Sequence, residues 1–234
     1  MALAAVWLDG GPLAQGPLVE RARKIDAECV ELETNGRSAL AAGRHDQALE
    51  LFERLIAGRL ESPFVRNGEG SSTDTLSAEM TSFVRRVEVI LYHRAVALTA
   101  FTLWSSGDRQ GSEVALDWTA RDGGVRSDLT RKQQQRQRRV IFSELIATYA
   151  AERFDGAGWR EAADAYADAR AQRLRANSDI YDDESARQQY NQAMAEYKDG
   201  RNGRARELLL DLRAHMPDYR LGQIEQALEN IPGS

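Results

Sequence analysis

Cysteine is nearly missing from this 234-residue chain. The single Cys29 excludes an intramolecular disulfide framework and sits in no CxxC or Cys/His metal spacing. It reads as a small apolar residue on a helix face. Proline and glycine are scarce for the length, with 5 and 18 residues, and β-branched runs are almost absent. Ala, Leu, Arg, Glu and Gln dominate instead, so the intrinsic preference is helical nearly throughout and the fold class is all-α. No strong excess of one charge is present either. A formal net charge of −5 argues against a protein built chiefly to neutralise a phosphate backbone. Long hydrophobic runs are lacking as well: the stretch from Leu91 to Trp104 is interrupted by His93 and Arg94 and is too short to span a bilayer, so no membrane span is expected. What remains, 42% hydrophobic and 29% charged residues, is enough to bury a core.

Catalytic patterns are missing too. His45, His93 and His215 lie far apart, with no HExxH, no paired-histidine spacing and no nucleophile elbow around a serine. The loops "NGEGSSTD" and "DGGVRSD" contain glycine, but neither follows a strand or carries the lysine of a phosphate loop. "DIYDDES" lacks the glycine and spacing of a calcium loop. The expectation is therefore no enzyme, no cofactor and no metal, with these segments serving as loops and helix caps.

Residues 1–17 read as a leader outside the helical domain. "MALAAVWLDGGPLAQG" has a short apolar stretch and small residues near "LAQG", as at the end of a secretory signal, but Asp9 interrupts it and no basic region precedes it. A signal remnant and a disordered leader both fit, which leaves the compartment open between cytoplasmic and periplasmic or exported. Residues 18–234 read as one helical domain. Periodicity with glycine punctuation predicts helices over 18–42, 46–56, 76–105, 113–119, 128–154, 159–175, 184–198, 204–215 and 219–229. Gly43 and Gly107 end two of them, and Ser127 is placed to cap the helix that follows it. The loop "ESPFVRNGEGSSTD" (61–74) reads as the most flexible connection.

Aligning the helix pairs on their breaks exposes a repeat. Gly36 and Ala48, Ala150 and Ala162, and Ala193 and Ala205 are each twelve residues apart across a turn. A small residue at both places lets two antiparallel helices cross closely. Phe52, Tyr166 and Leu209 follow one turn later and fill the space toward the next pair. The second unit keeps Ala100 and Gly107 but has Ser112 where alanine is expected, and is degenerate. The pattern resembles the tetratricopeptide repeat, best over "AMAEYKDGRNGRARELLLDLRAHMP" (193–217) and "AAERFDGAGWREAADAYADA" (150–169). Ala48, Ser112, Ala162 and Ala205 stand farther apart than the ~34 residues of uninterrupted members, which places insertions at 61–80 and 121–140.

The resemblance implies a right-handed superhelical stack of antiparallel helix pairs, a solenoid closed by a C-terminal capping helix. It implies a non-catalytic adaptor or scaffold that holds a peptide or helix of a partner protein in a concave groove lined by first helices. Groove positions carried over are Arg187, Tyr190, Asn191, Met194 and Tyr197 in the last repeat, and Glu144, Ala147, Thr148 and Ala151 in the third. Tyr190, Met194 and Tyr197 share one helix face, which packing on a neighbouring helix explains equally well. The lysine–asparagine clamp of some family members is not implied, because the matching positions are Glu33 and Arg37. The run "RKQQQRQRR" spreads Arg131, Lys132, Arg136, Arg138 and Arg139 around an exposed helix overhang. It lacks interleaved aromatics for base stacking, so a solvated extension is the simpler account and nucleic acid is disfavoured. The alternative reading is a self-associating structural or nucleic-acid-associated protein acting through this overhang. A homo-oligomer is conceivable in which the run meets Asp179, Asp182, Asp183 and Glu184 of another copy.

Overall fold

A computed structural model describes residues 17–65, 78–117, 125, 129–177 and 180–232. Among the described residues the chain forms nine α-helices and no strand. They are α1 (Pro17–Ala41), α2 (His45–Glu61), α3 (Ala78–Ser105), α4 (Arg109–Leu116), α5 (Arg131–Asp155), α6 (Trp159–Ala176), α7 (Asp183–Lys198), α8 (Asn202–His215) and α9 (Leu221–Asn230). Two compact units result, Met1–Arg138 and Arg139–Ser234. In the first, α1 packs on α2, α2 on α3 and α3 on α4; in the second, α6 packs on α7, α7 on α8 and α8 on α9.

Four helix pairs turn in the same way. At Gly43, Gly107, Ala157 and Gly200 the backbone is left-handed, with φ of 71°, 95°, 62° and 82°. In each turn that residue's N–H donates to the carbonyl three residues back, and the next N–H donates to the carbonyl five residues back. Gly43 to Leu40 and Arg44 to Ala39, both at 2.9 Å, are one instance; Gly200 to Tyr197 at 3.0 Å and Arg201 to Glu196 at 2.9 Å are another. This paired closure satisfies the last carbonyls of one helix and reverses the chain into the next.

Gly36, Ala48, Ala100, Ser112, Ala150, Ala162, Ala193 and Ala205 are all buried. At Gly36 the reason is explicit: a β-carbon there would lie 2.5 Å from Cε1 of Phe52. The residue four after the second small position is buried in every pair, as Phe52, Leu116, Tyr166 and Leu209.

Several expectations move. The fourth helix begins at Arg109 rather than near residue 113, because Asp108 caps it by accepting the Gly111 N–H at 2.7 Å. Ser127 lies outside the described residues. Thr130 and Gln133 cap α5 reciprocally, the Thr130 N–H donating to Gln133 Oε1 at 2.8 Å and the Gln133 N–H to Thr130 Oγ1 at 3.3 Å. The third helix, close to its expected bounds, is more apolar than its interrupted central run suggests. Thr81–Ser105 reaches the length and hydropathy of a membrane span, and 67% of its most apolar window is buried inside the protein.

Charge is buried in the first unit. Arg59 of α2 donates to Asp26 of α1 at 2.7 Å and lies 3.5 Å from Glu88 of α3, all three nearly inaccessible. Two carboxylates share one guanidinium, and burial pushes the Glu88 carboxyl above the usual range despite the pull of Arg59. Burial also pushes the neighbouring Cys29 thiol up to about 11.

Candidate functional site

The predicted groove residues separate into two groups. Glu144, Ala147, Thr148 and Ala151 of α5 and Arg187 and Asn191 of α7 line one cleft of about 260 Å³, joined by Tyr166 and Gln188. Tyr190, Met194 and Tyr197 do not share it. They are half-buried against the core of Leu208, Leu209 and Leu212 of α8, Ile224 and Ala227 of α9, and Ile231 just after it. The Arg220 guanidinium lies 5.4 Å from the centroid of the Tyr190 ring. This stripe is packing surface for the last helices. On α7 the two sets occupy adjacent parts of the helix surface, Arg187 and Asn191 toward α5 and Tyr190, Met194 and Tyr197 toward α8 and α9.

Within the cleft, burial pushes the Glu144 carboxyl above the ordinary glutamate range, and Arg173 at 4.0 Å only partly offsets this. Burial likewise raises the Tyr166 hydroxyl, which shares a hydrogen bond with Asn191. Arg187 donates to Glu184 at 2.7 Å. Asp182 caps α7 by accepting the Ser185 N–H at 2.9 Å and pairs with Arg173 at 2.9 Å. Its burial is outweighed by the Ser185 bonds and Arg173, which hold its carboxyl below the usual range. Asp182 and Glu184 are thus engaged within their own chain, and Asp179 lies outside the described residues.

The first unit contains a second cleft of about 350 Å³, lined by Val30, Glu33, Thr34 and Arg37 of α1, Leu91 and Arg94 of α3, and, deeper, Asp26 and Arg59. Counted from the buried small residues Gly36 and Ala150, the α1 and α5 lining positions coincide: Val30 with Glu144, Glu33 with Ala147, Thr34 with Thr148, and Arg37 with Ala151. Counted from Ala100 and Ala193, Arg94 coincides with Arg187. Glu33 Oε1 accepts from Arg37 Nε at 2.9 Å and from Arg94 Nε and Nη2 at 3.1 and 2.9 Å. Burial works against the ionised form, but the Arg37 and Arg94 contacts outweigh it and hold the Glu33 carboxyl below the usual range. Glu33 and Arg37, which match no lysine–asparagine clamp, line this cleft instead. The register itself points to it, because Arg94 and Arg187 stand equally far before their small residues.

The basic run is divided. Arg131, Lys132 and Arg136 are exposed, but Arg138 and Arg139 are not part of an overhang. Arg138 is 1% exposed, donates from Nε to His93 Nδ1 at 3.1 Å and from Nη1 to the Leu116 carbonyl at 3.3 Å. Arg139 is buried and donates to Gln172 Oε1 at 2.6 Å. The helix turns this end of the run inward, where guanidinium donors meet neutral acceptors. Among the described residues no group of His, Cys, Asp and Glu has the placement to hold a metal ion. Compared with protein-family models, curated proteins and solved structures, the chain matches none.

Proposed function

We propose that the chain is a non-catalytic, tetratricopeptide-like repeat protein that binds a segment of a partner protein on the faces of its first helices. The observation that carries this reading is the coincidence of the two clefts. Thr34 with Thr148, and Arg94 with Arg187, are accessible polar positions in matching register, which repeats that merely stack do not need and a surface that meets a partner once per repeat presents. The repeated turn geometry and the eight buried small positions support the same repeat register.

A photoreactive phenylalanine analogue introduced singly at Thr34, Thr148 or Glu207 tests this. Thr34 and Thr148 are exposed and line the clefts, and Glu207 is an exposed position on the second helix of a pair. Illumination in a lysate of the source organism is expected to give the same discrete adduct from Thr34 and Thr148 and none from Glu207. Equal labelling at all three positions, or only self-adducts, would refute the reading.

A further inference from the structure

Where α1, α2 and α3 meet, Asp26, Arg59 and Glu88 set two carboxylates against one guanidinium, each residue at most 4% exposed. Ionising both acids would leave a net negative charge in the core, which is strongly unfavourable. Geometry decides which of them keeps a proton. Asp26 accepts from Arg59 Nη1 at 2.7 Å, whereas Glu88 Oε2 stands 3.5 Å from the same nitrogen and accepts no hydrogen bond among the described residues. The charged form is stabilised at Asp26, and the proton falls to Glu88. Burial raises the Glu88 carboxyl in the same direction, against the pull of Arg59. Cys29 of α1, also beside Arg59, stays a neutral thiol well below its raised value of about 11.

This cluster adjoins a surface cleft. Asp26 and Arg59 form the floor of the first-unit cleft, and Leu91 and Arg94 of its α3 wall lie within two turns of Glu88. At the mouth, Glu33 of α1 accepts from Arg94 of α3 at 2.9 Å, a clasp between the two helices. Glu33 is held below the usual carboxylate range, so the clasp stays ionised where Glu88 changes state. The charge at the rim is fixed while the charge at the floor varies with pH.

We infer that Glu88 is a proton-operated latch for this cleft: protonated, it lets α3 close on α1 and α2, and ionised, it opens the floor to water between α1 and α3. The ionised carboxylate gains by hydration, and the cleft already reaches the two groups beside it. Regulation of a partner by this latch rests on the reading of the cleft as part of a partner-binding face; the proton coupling itself does not.

Carbon-13 NMR of the glutamate side-chain carboxyls in the full chain, with Glu88→Gln assigning the resonance, measures the titration, and hydrogen exchange at the Leu91 backbone amide measures the opening. A Glu88 midpoint above the ordinary 4.5 is expected. Corrected for the intrinsic pH dependence of exchange, the opening constant at Leu91 is expected to rise about tenfold per pH unit from 4.5 to that midpoint and then level off, because opening releases one proton. Glu88→Gln is expected to remove the rise. Arg94→Ala, at a side chain 42% exposed, removes the clasp and is expected to bring the midpoint down toward 4.5, whereas loss of a cation acting through charge alone would raise it. A midpoint at or below 4.5, a rise that persists in Glu88→Gln, or a midpoint that Arg94→Ala leaves unchanged or raises overturns the inference. If the latch titrates as expected while Thr34 gives no adduct, the partner-binding reading falls and the latch stands. If Thr34 gives its adduct while Glu88 titrates at its ordinary value, the latch falls and the binding face stands.

Discussion

At the scale of single residues, the close approach of helices within each pair sets the tightest constraints. Gly36 faces a fully buried ring, so Gly36→Ala forces Phe52 or the helix to move and is expected to destabilise the protein by about 1–3 kcal/mol. Adding Phe52→Leu, which removes the clashing ring atoms, should make the alanine much better tolerated than it is in the wild-type background. Urea unfolding of the two singles and the double measures this; strictly additive losses would show that the contact is not the cause. Ala157 presents the opposite case, an L residue at φ 62° where its three counterparts are glycines. Relief of the left-handed strain, about 1–2 kcal/mol, exceeds the extra chain entropy of glycine, so Ala157→Gly is expected to stabilise by about 0.5–1 kcal/mol in the same assay. Gly36 and Phe52 were legible in the sequence because a small residue and a ring at fixed spacing across a turn have one steric explanation. Asp26, Arg59 and Glu88 were not. Each resembles an ordinary solvent-facing charge on its own helix, and only the meeting of three helices makes them a cluster.

That cluster gives the first unit a pH dependence of definite sign. Burial raises the Glu88 carboxyl above its ordinary value of 4.5 in the folded protein, so above that pH the unfolded chain releases a proton that the native state retains. Native stability attributable to Glu88 therefore falls as pH rises from the ordinary value through the raised one. Glu88→Gln, which stays neutral, is expected to flatten the stability profile above pH 4.5, read by denaturant titration at each pH. Parallel profiles for variant and wild type would mean that Glu88 ionises normally in the fold.

Whole elements show what composition conceals. The run at the start of α5 reads as uniformly basic, yet its first part is solvated and its end is core. Arg138 closes two buried acceptors, so Arg138→Gln is expected to cost about 2–4 kcal/mol, and Arg131→Ala less than about 0.5 kcal/mol. Thermal or urea unfolding of both variants separates the two ends; similar small losses would return Arg138 to the surface. Helix existence was legible throughout, because periodicity and glycine breaks agree with the nine helices. The starts of α4 and α5 were displaced by caps that compete with their neighbours: Asp108 wins over later positions, and Thr130 with Gln133 forms a reciprocal cap that Ser127 alone does not suggest. On α7, a face rich in Tyr and Met suggested contact with a partner, but those residues meet α8 and α9. The less conspicuous Asn191, Gln188 and Arg187 line the cleft instead.

For the molecule as a whole, charge decides between partner classes. The formal charge of −5 opposes a polyanion at long range, and burial of Arg138 and Arg139 leaves Arg131, Lys132 and Arg136 as the exposed cations of the basic run. Three phosphate contacts correspond to a slope of log K against log salt of about −3, well short of the steep dependence of proteins that make six to ten. Binding to mixed-sequence single- or double-stranded oligonucleotides at ~0.15 M salt is therefore expected to be weaker than Kd ~0.1 mM, the weak end of ordinary non-specific affinity. Fluorescence anisotropy of labelled oligonucleotides measures it directly. Saturable binding in the micromolar range, lost steeply with added salt and abolished by Arg131→Glu with Arg136→Glu, would move the exposed part of the run to the front. Weak, shallow dependence would leave the clefts as the surface to follow. For a partner segment held there as proposed, through one or two charge pairs, moderate salt is expected to change affinity by less than about tenfold, because partly buried pairs are screened less than exposed ones.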